Sequence, residues 1–300
     1  MIGANLAYRL VEQGCEVFVI ARPQSDLRRI RDIRNKVEVL FADITDAKSV
    51  RDAIFRAQPG TLFHLASTPF NPDVFTAEDH FRVNVMGTIH ILEAMKEIKG
   101  ARLVFTSSAA EYGGGERLSE ESPVDPKTVL GASKASATLL IRAFERRYGV
   151  DAVVLRLFTP YGPWESNHRL IPSIIVSALQ GKDVLISEGK QKRDFVYIED
   201  VVTALVSAGS LPIASGSIVN IASGSSTAVH EVASLVLRLM GDPVKLVRGA
   251  VPTRPDEIME ISADISKAEK VLAWKPQVSL EEGLKRTIAW FKEQNIGAYA

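Results

Sequence analysis

Short runs rich in β-branched residues alternate with longer helical patterns over the first half of this 300-residue chain. Parallel strands joined by helical crossovers produce this alternation, and their burial on both faces explains the nearly continuous apolar runs. The sequence therefore predicts an α/β fold with a doubly wound parallel sheet. The predicted strands are 16–20, 36–41, 60–65, 102–107, 151–157 and 217–221, and the predicted helices between them are 4–13, 46–57, 76–98 and 130–148.

The alternation weakens from Tyr161 onward, where Pro, Gly and loop residues interrupt it. Two later helical stretches, 229–240 and 280–293, close the chain. We predict a dinucleotide-binding domain and a smaller substrate-binding lobe. The first comprises residues 1–158 plus about 195–225, because strand 217–221 and helix 198–208 return to it, and the second comprises about 159–194 plus 226–300.

The chain opens directly on a helical pattern, in which Gly3, Leu6, Ala7 and Leu10 form one apolar or close-packing face. A doubly wound fold normally begins with a strand and a glycine-rich turn before this helix. We therefore expect a Rossmann-type sheet that lacks its first strand. Gly3 is at most the last glycine of the phosphate-binding motif, and an ordinary glycine at a helix start explains it equally well.

The charges balance, with 36 basic and 36 acidic residues, so no overall field attracts nucleic acid or an anionic membrane. The single cysteine, Cys15, excludes an internal disulfide framework and is expected to serve in packing. No signal peptide and no apolar run of about 18 residues is evident, and a cytoplasmic protein is expected. No metal site is expected.

Seven segments together resemble the extended short-chain dehydrogenase/reductase family, in its NAD-dependent nucleotide-sugar epimerase/dehydratase branch. They occur in the family's order and spacing and cover nearly the whole chain. The resemblance implies a nucleotide-sugar enzyme that uses NAD or NADP. The segments are HLAS at 64–67, FTSSAAEYG at 105–113, LGASK at 130–134, LRLFTPYGP at 155–163, RDFVYIEDV at 193–201, RPDE at 254–257 and ADISKAEKVLAWKP at 263–276.

Two residues are predicted to be catalytic, Ser108 and Lys134. Ser108 follows a predicted strand at the carboxyl edge, where open α/β sheets bind ligands, and its hydroxyl could hold a sugar hydroxyl or ketone. The resemblance implies that Lys134 binds the nicotinamide ribose and lowers the pKa of a tyrosine four residues earlier. That position is Leu130 here, and leucine cannot accept a proton. A missing base typically removes about 10²–10⁴-fold of rate.

Three other residues are candidates to fill this gap. Tyr112 matches a family tyrosine that is structural or lines the substrate, Glu111 stands where the family has an apolar residue and is expected to be a polar loop contact, and Tyr161 follows another strand. The stretch after Ser108 is Ala109-Ala110, where a 4,6-dehydratase would carry an acidic pair. This favours epimerase or 4-ketoreductase chemistry over dehydration.

Cofactor choice rests on the end of strand 16–20. An acidic residue there would grip a ribose 2′-hydroxyl and indicate NAD, whereas Arg22 could pair with the 2′-phosphate of NADP or simply be solvated. The resemblance implies that Asp43 contacts the adenine part, that Ile44 packs on the ring, and that the stretch after strand 60–65 lines the path of the phosphates and ribose. The predicted cofactor-binding residues are Gly3, Arg22, Asp43, Ile44, His64, Leu65, Ala66, Ser67 and Lys134.

Two arginines of the predicted lobe, Arg193 and Arg254, lie in matching motifs, and planar guanidinium groups suit a diphosphate. Thr159 replaces a family asparagine, which puts its usual phosphate contact in doubt. His168 is expected to be a loop residue. The predicted substrate-binding residues are Ser108, Tyr112, Thr159, Arg193 and Arg254.

Two functions remain open. One is an NAD(P)-dependent nucleotide-sugar epimerase or 4-ketoreductase with an unusual proton relay. The other is a catalytically inactive relative that binds a nucleotide or nucleotide sugar as a regulator or as a partner in a hetero-oligomer. The resemblance also implies a homodimer that pairs through the helices 76–98 and 130–148.

Overall fold

A four-stranded parallel sheet forms the centre of the protein. The structure is a computed structural model, and it describes residues 1–68 and 74–294. The strands are β3 (Thr61–His64), β4 (Arg102–Ser108), β6 (Asp151–Leu157) and β11 (Ser217–Ile221), in the order β11-β6-β4-β3. Every neighbouring pair is parallel, so all the carboxyl ends meet at one edge.

Alternate side chains of the central strands enter two different hydrophobic clusters, as the twofold periodicity of a strand requires. On β4, Val104 faces the cluster that contains helix α7 (Ile198–Ser210), whereas Leu103 and Phe105 face the cluster that contains α5 (Val129–Tyr148). All three of these side chains are fully buried. The sheet is therefore covered on both faces, which makes the fold a Rossmann-type α/β fold.

Two further parallel strands, β1 (Phe18–Ala21) and β2 (Glu38–Phe41), pair with each other. Among the described residues, no ladder joins them to the central sheet. Helix α1 (Ile2–Glu12) packs between them and α7, with Ala4 and Ala7 in one cluster and Leu6 in another. The missing first strand stays a prediction.

The later part of the chain adds helices and short strands that pack on the same core. Leu284 and Phe291 of α10 (Leu280–Glu293) share one hydrophobic cluster with Val104 of the central sheet. The hydrophobic core therefore does not divide between the two predicted domains, and the predicted domain division stays a prediction. The other strands are β5 (Gly115–Leu118), β7 (Thr159–Tyr161), β8 (Val184–Leu185), β9 (Lys192–Arg193), β10 (Phe195–Tyr197), β12 (Thr227–Ala228), β13 (Leu246–Val247) and β14 (Ile261–Ala263).

Capping groups fix the helix ends. Thr128 accepts a hydrogen bond from the Gly131 N–H at the start of α5, and Gly149 ends that helix in the left-handed conformation, φ 68°. No described helix is both long and apolar enough to cross a membrane. The remaining helices are α2 (Ala47–Ala57), α3 (Ala77–Phe81), α4 (Gly87–Met95), α6 (Leu170–Leu179), α8 (Val229–Leu239) and α9 (Ser266–Leu272).

Candidate active site at the carboxyl edge of the sheet

Helix α5 and the segment after β4 are pressed together at the carboxyl edge of the sheet. A Cβ added at Gly131 would lie 2.4 Å from the carbonyl oxygen of Ala110, so only a glycine permits this approach. Leu130 lies beside that contact, and Ser108 begins the 3₁₀ turn Ala109–Glu111 that makes it. The structure thus brings Ser108 and Leu130 to the same part of the edge.

Lys134 lies one helical turn after Leu130 and is buried, with 5 % of its surface exposed. Its Nζ donates to the carbonyl oxygen of Thr106, 2.9 Å away, and lies 4.8 Å from the centre of the Phe105 ring. Burial lowers the pKa of this lysine to about 8, and the negative charge of Glu111 opposes the effect. The ammonium group is therefore held at the end of β4.

His64 ends β3 beside this lysine and is 2 % exposed. Its Nε2 lies 2.9 Å from Thr88 Oγ1, which itself donates to the carbonyl oxygen of Asn84, so Nε2 must be the protonated nitrogen. Among the described residues, Nδ1 has no hydrogen-bond partner. Burial and the charge of Lys134 lower the pKa of His64 to about 3, which keeps the ring neutral.

A network of buried polar side chains connects the segment after β3 to the first turns of α5. Asn84 lies in a π-helical turn, Arg82–Met86, between α3 and α4, and its side chain bonds Ser133 Oγ, Thr68 Oγ1 and the Thr68 N–H. Ser133 in turn donates to the carbonyl oxygen of Leu130. The sequence prediction of an unbroken helix at 76–98 missed this network, because the π turn is a departure from regular spacing that periodicity does not show.

Glu111 and Tyr112 face the protein interior. The Tyr112 hydroxyl donates to Asn220 Oδ1 and accepts from Arg156, each at 2.8 Å. Glu111 is fully buried and forms an ion pair with Arg156 at 2.8 Å, so it is no loop contact. An arginine inside the apolar strand sequence AVVLRLF was the signal for this pair, since a buried charge requires a partner. Tyr161 is also buried and donates to the carbonyl oxygen of Leu280.

The residues predicted to hold the dinucleotide follow the carboxyl ends of three strands. Arg22 is exposed just after β1, and Asp43 follows β2. Two hydrogen bonds from Thr45 lower the pKa of Asp43, and the charge of Arg22 adds to them. Ile44 packs against Gly87, where an added Cβ would lie 2.6 Å from its Cγ1.

The stretch after β3 completes this group. Leu65 is half-buried and lies 3.5 Å from the position of a Cβ on Gly3. Ala66 and Ser67 are exposed. The start of α1 and the end of β3 are thus in contact, which brings Gly3 to the same edge as the other predicted residues.

Arg193 and the segment after Arg254 meet on the other side of the edge. Arg193 forms an ion pair with Glu257 and donates to the carbonyl oxygen of Ile258. Arg254 is exposed and lies one turn before Glu257, whose N–H donates to the Arg254 carbonyl. Sequence reasoning did not predict that Glu257 pairs with Arg193, although Glu257 stands in the matched RPDE segment.

A cavity of about 550 Å³ lies between the segment that follows the Ala109–Glu111 turn and the segment that follows Arg254. Its walls are residues 113–115 and Lys127 on one side and residues 255–260 on the other, and neither Ser108 nor Lys134 is among the residues that line it. Parallel pairing of β5 with β14 holds the two walls together. Thr159 lies nearby in β7, paired with β10, which directly follows Arg193 and Asp194.

Comparisons with family models, with known sequences and with solved structures all indicate the same family. A sequence profile described as the NAD dependent epimerase/dehydratase family matches residues 1–222. A putative UDP-glucose 4-epimerase of Methanocaldococcus jannaschii is 30% identical over 304 residues, covering 98% of this chain and 96% of that protein.

Two solved structures share the fold over nearly the full length. The UDP-glucose 4-epimerase of Thermotoga maritima with UDP-glucose has a TM-score of 0.90 at 26% identity, and the match covers 98% of this chain and 96% of that one. The UDP-glucose 4-epimerase of Thermus thermophilus in complex with NAD has a TM-score of 0.90 at 26% identity, covering 98% and 97%.

Proposed function

The chain belongs to the NAD dependent epimerase/dehydratase family, and from this membership we propose that it binds NAD and a nucleotide-diphosphate sugar. We propose further that the reaction is hydride transfer at a sugar carbon, as in an epimerase or a 4-ketoreductase. Ala109 and Ala110 stand directly after Ser108 and carry no group that could shuttle protons. Dehydration is therefore disfavoured.

One observation carries the proposal. The close approach of Gly131 to Ala110 joins the start of α5 to the end of β4, so that the hydroxyl of Ser108 and the ammonium of Lys134 belong to one edge. Glu257, the partner of Arg193, lines the cavity between residues 113–115 and residues 255–260. A sugar held by Ser108 could thus have its diphosphate on the arginine side.

The residues present fit a dinucleotide at both of its ends. Asp43 offers a partly buried carboxylate after β2 for the adenosine part, and Ser67 offers an exposed hydroxyl after β3. Nδ1 of His64 is a buried nitrogen without a hydrogen-bond partner among the described residues, and it lies close to the ammonium of Lys134. A polar group of the dinucleotide bound there would supply that partner. Arg22 is the residue that would accept a 2′-phosphate instead.

The expected roles follow from these positions. NAD, when bound, supplies the acceptor for the hydride. Lys134 would hold the nicotinamide ribose, Ser108 would hold the reacting sugar hydroxyl, and the guanidinium groups of Arg193 and Arg254 would neutralise the diphosphate. Thr159 and Tyr112 are the other predicted substrate contacts, although the Tyr112 hydroxyl already has two partners.

Leu130 supports a second candidate function. A leucine cannot accept the proton that leaves the sugar hydroxyl, and the nearby tyrosines Tyr112 and Tyr161 both use their hydroxyl groups in buried hydrogen bonds. Burial also raises the pKa of both tyrosines. The alternative is therefore a relative that binds the same ligands without turnover.

A pair of variants separates the two candidates. Interconversion of UDP-glucose and UDP-galactose in the presence of NAD⁺ is followed by NMR for wild type, Leu130→Tyr and Leu130→Phe, and binding of NADH and NADPH is measured separately by titration. A restored base should raise turnover by about 10²–10⁴-fold in Leu130→Tyr, and Leu130→Phe controls for the ring alone. Turnover in the tyrosine variant alone supports the binding relative, whereas equal turnover in all three supports an active enzyme with another base.

We also propose a homodimer that pairs through α3, α4 and α5. Helices α3 and α5 expose large apolar side chains to solvent, a feature typical of subunit interfaces. Leu139 on α5 is 64% exposed and Phe81 on α3 is 41% exposed.

A further inference from the structure

A buried ion pair lies directly behind the candidate active site. Glu111 is fully buried, Arg156 is 3% exposed, and both Nε and Nη2 of the arginine lie 2.8 Å from Oε2 of the glutamate. The other carboxylate oxygen, Oε1, accepts hydrogen bonds from Ser107 and, at 2.7 Å, from Thr138. The carboxylate therefore joins three elements, β4, α5 and β6.

These contacts stand beside those of Lys134. Thr138 is one helical turn after Lys134, on the same face of α5, and Ser107 directly follows Thr106 on β4. The helix is thus tied to the strand at two adjacent points, by the ammonium on the Thr106 carbonyl and by the Thr138 hydroxyl on Glu111. A shift of either element would break both contacts.

We propose that Glu111 is a positioning residue for Lys134, which fixes the turn of α5 that carries the lysine and supplies the buried carboxylate behind it. The proposal rests on the proposed function, because Lys134 needs its charge and its place only if it holds a ligand at this edge. Among the described contacts that join β4, α5 and β6 in this cluster, Glu111 supplies the one carboxylate.

The charges around Lys134 support this assignment. Burial lowers the pKa of this lysine, and Glu111 is the group whose charge raises it against that effect. From β3, the neutral ring of His64 adds no charge of its own. From β6, Arg156 stands behind the carboxylate, and the pKa of Lys134 remains near 8 rather than lower.

The protonation of Lys134 can be measured without any ligand. Protein carrying ¹³C-labelled lysine is titrated by NMR, and the Lys134 signal is the one absent from Lys134→Met. In Glu111→Gln, which keeps the shape but loses the charge, we expect the pKa of Lys134 to fall by about one unit or more. The affinity for NADH, followed by its fluorescence, should then begin to decline at a correspondingly lower pH.

Two further variants keep the result interpretable. Thr138→Val removes a hydrogen bond to the carboxylate but leaves its charge, so the pKa of Lys134 should stay near that of wild type. The double variant Glu111→Gln with Arg156→Gln removes both charges and serves if the single variant does not fold. In it, a smaller fall in the pKa of Lys134 is expected.

An unchanged pKa in the glutamine variants, or an equal fall in Thr138→Val, would overturn the proposal. Failure of NADH to bind would count against the proposed function alone, since the titration needs no cofactor.

Discussion

For Lys134, the stability of the fold favours a neutral amine, whereas the proposed ligand binding requires a charged ammonium. Its burial costs free energy while it carries a charge, yet the charge is what the proposed ribose contact and the Thr106 carbonyl use. The neighbouring Leu130 has no hydroxyl to share that proton. Protonation at this site therefore depends on the lysine and its own neighbours.

The pH dependence of stability tests the buried charge. The pKa of Lys134 is lowered to about 8 in the folded protein, whereas the unfolded chain keeps its proton up to about 10.5. Between these values the unfolded state binds more protons, so the free energy of unfolding must rise with pH. Relative to Lys134→Met, the wild type should gain up to about 3 kcal/mol from pH 8 to pH 10.5, measured by urea denaturation. A flat or falling difference would contradict a buried ammonium.

At the scale of elements, the first turn of α7 anchors the C-terminal segment. Asp200 is 4% exposed, and its carboxylate accepts the backbone N–H groups of Gln277 and Val278, each at 3.0 Å. Its carbonyl oxygen accepts from Trp274 Nε1 at 2.9 Å. One buried carboxylate thus ties α7 to the segment that leads into α10.

Removing this carboxylate should loosen the C-terminal segment. Asp200→Ala leaves two backbone N–H groups without their acceptor, and we expect it to lower the free energy of unfolding by about 2–4 kcal/mol, measured by urea denaturation. Glu199→Ala is the matched control, because Glu199 precedes Asp200 in the same turn and its side chain forms an exposed ion pair with Arg286. It should cost less than about 1 kcal/mol. Equal losses in the two variants would argue against the anchor.

The strands of the central sheet were predictable because their apolar runs are buried on both faces. The predicted bounds 151–157 and 217–221 agree with β6 and β11, and strand 16–20 was displaced by up to two residues from β1. Strands of two residues such as β9 were missed, since their pairing depends on distant segments rather than on local pattern.

The candidate site was predictable only where a motif marks it. Ser108 and Lys134 were predicted from their matched segments, and the structure brings them to one edge, but their roles stay predictions. Glu111 was assigned to a loop contact because no spacing rule joins it to Arg156, 45 residues later. Asn84 was missed because its π turn interrupts an otherwise regular helix.

At the scale of the whole molecule, the segment that follows β4 and the segment 255–260 lie on opposite sides of one cavity. The pairing of β5 with β14 and the shared hydrophobic cluster hold the two sides together. A ligand that spans the cavity would contact both. Because Ser108 and Lys134 both lie at the end of β4, the proposed roles of these residues lead us to expect that cofactor and sugar nucleotide bind side by side rather than compete.

Assembly is a second property of the whole molecule. Leu139→Glu places a charge on the exposed face of α5 and should convert a dimer into monomers in analytical ultracentrifugation, because a buried unpaired charge is costly at an interface. Leu185→Glu is the control, since Leu185 is similarly exposed, 58%, but lies on β8. A monomeric wild type, or dissociation by both variants, would contradict the proposed interface.

The most direct test measures both ligands on the same set of proteins. NADH binding by fluorescence and UDP-glucose binding by calorimetry are compared for wild type, Lys134→Met and Arg254→Met. We expect the wild type to bind both ligands together, Lys134→Met to lose about 10-fold or more in affinity for NADH alone, and Arg254→Met to lose a similar factor for UDP-glucose alone. A wild type that binds neither ligand, or variants that leave both affinities unchanged, would contradict a shared edge for the two ligands.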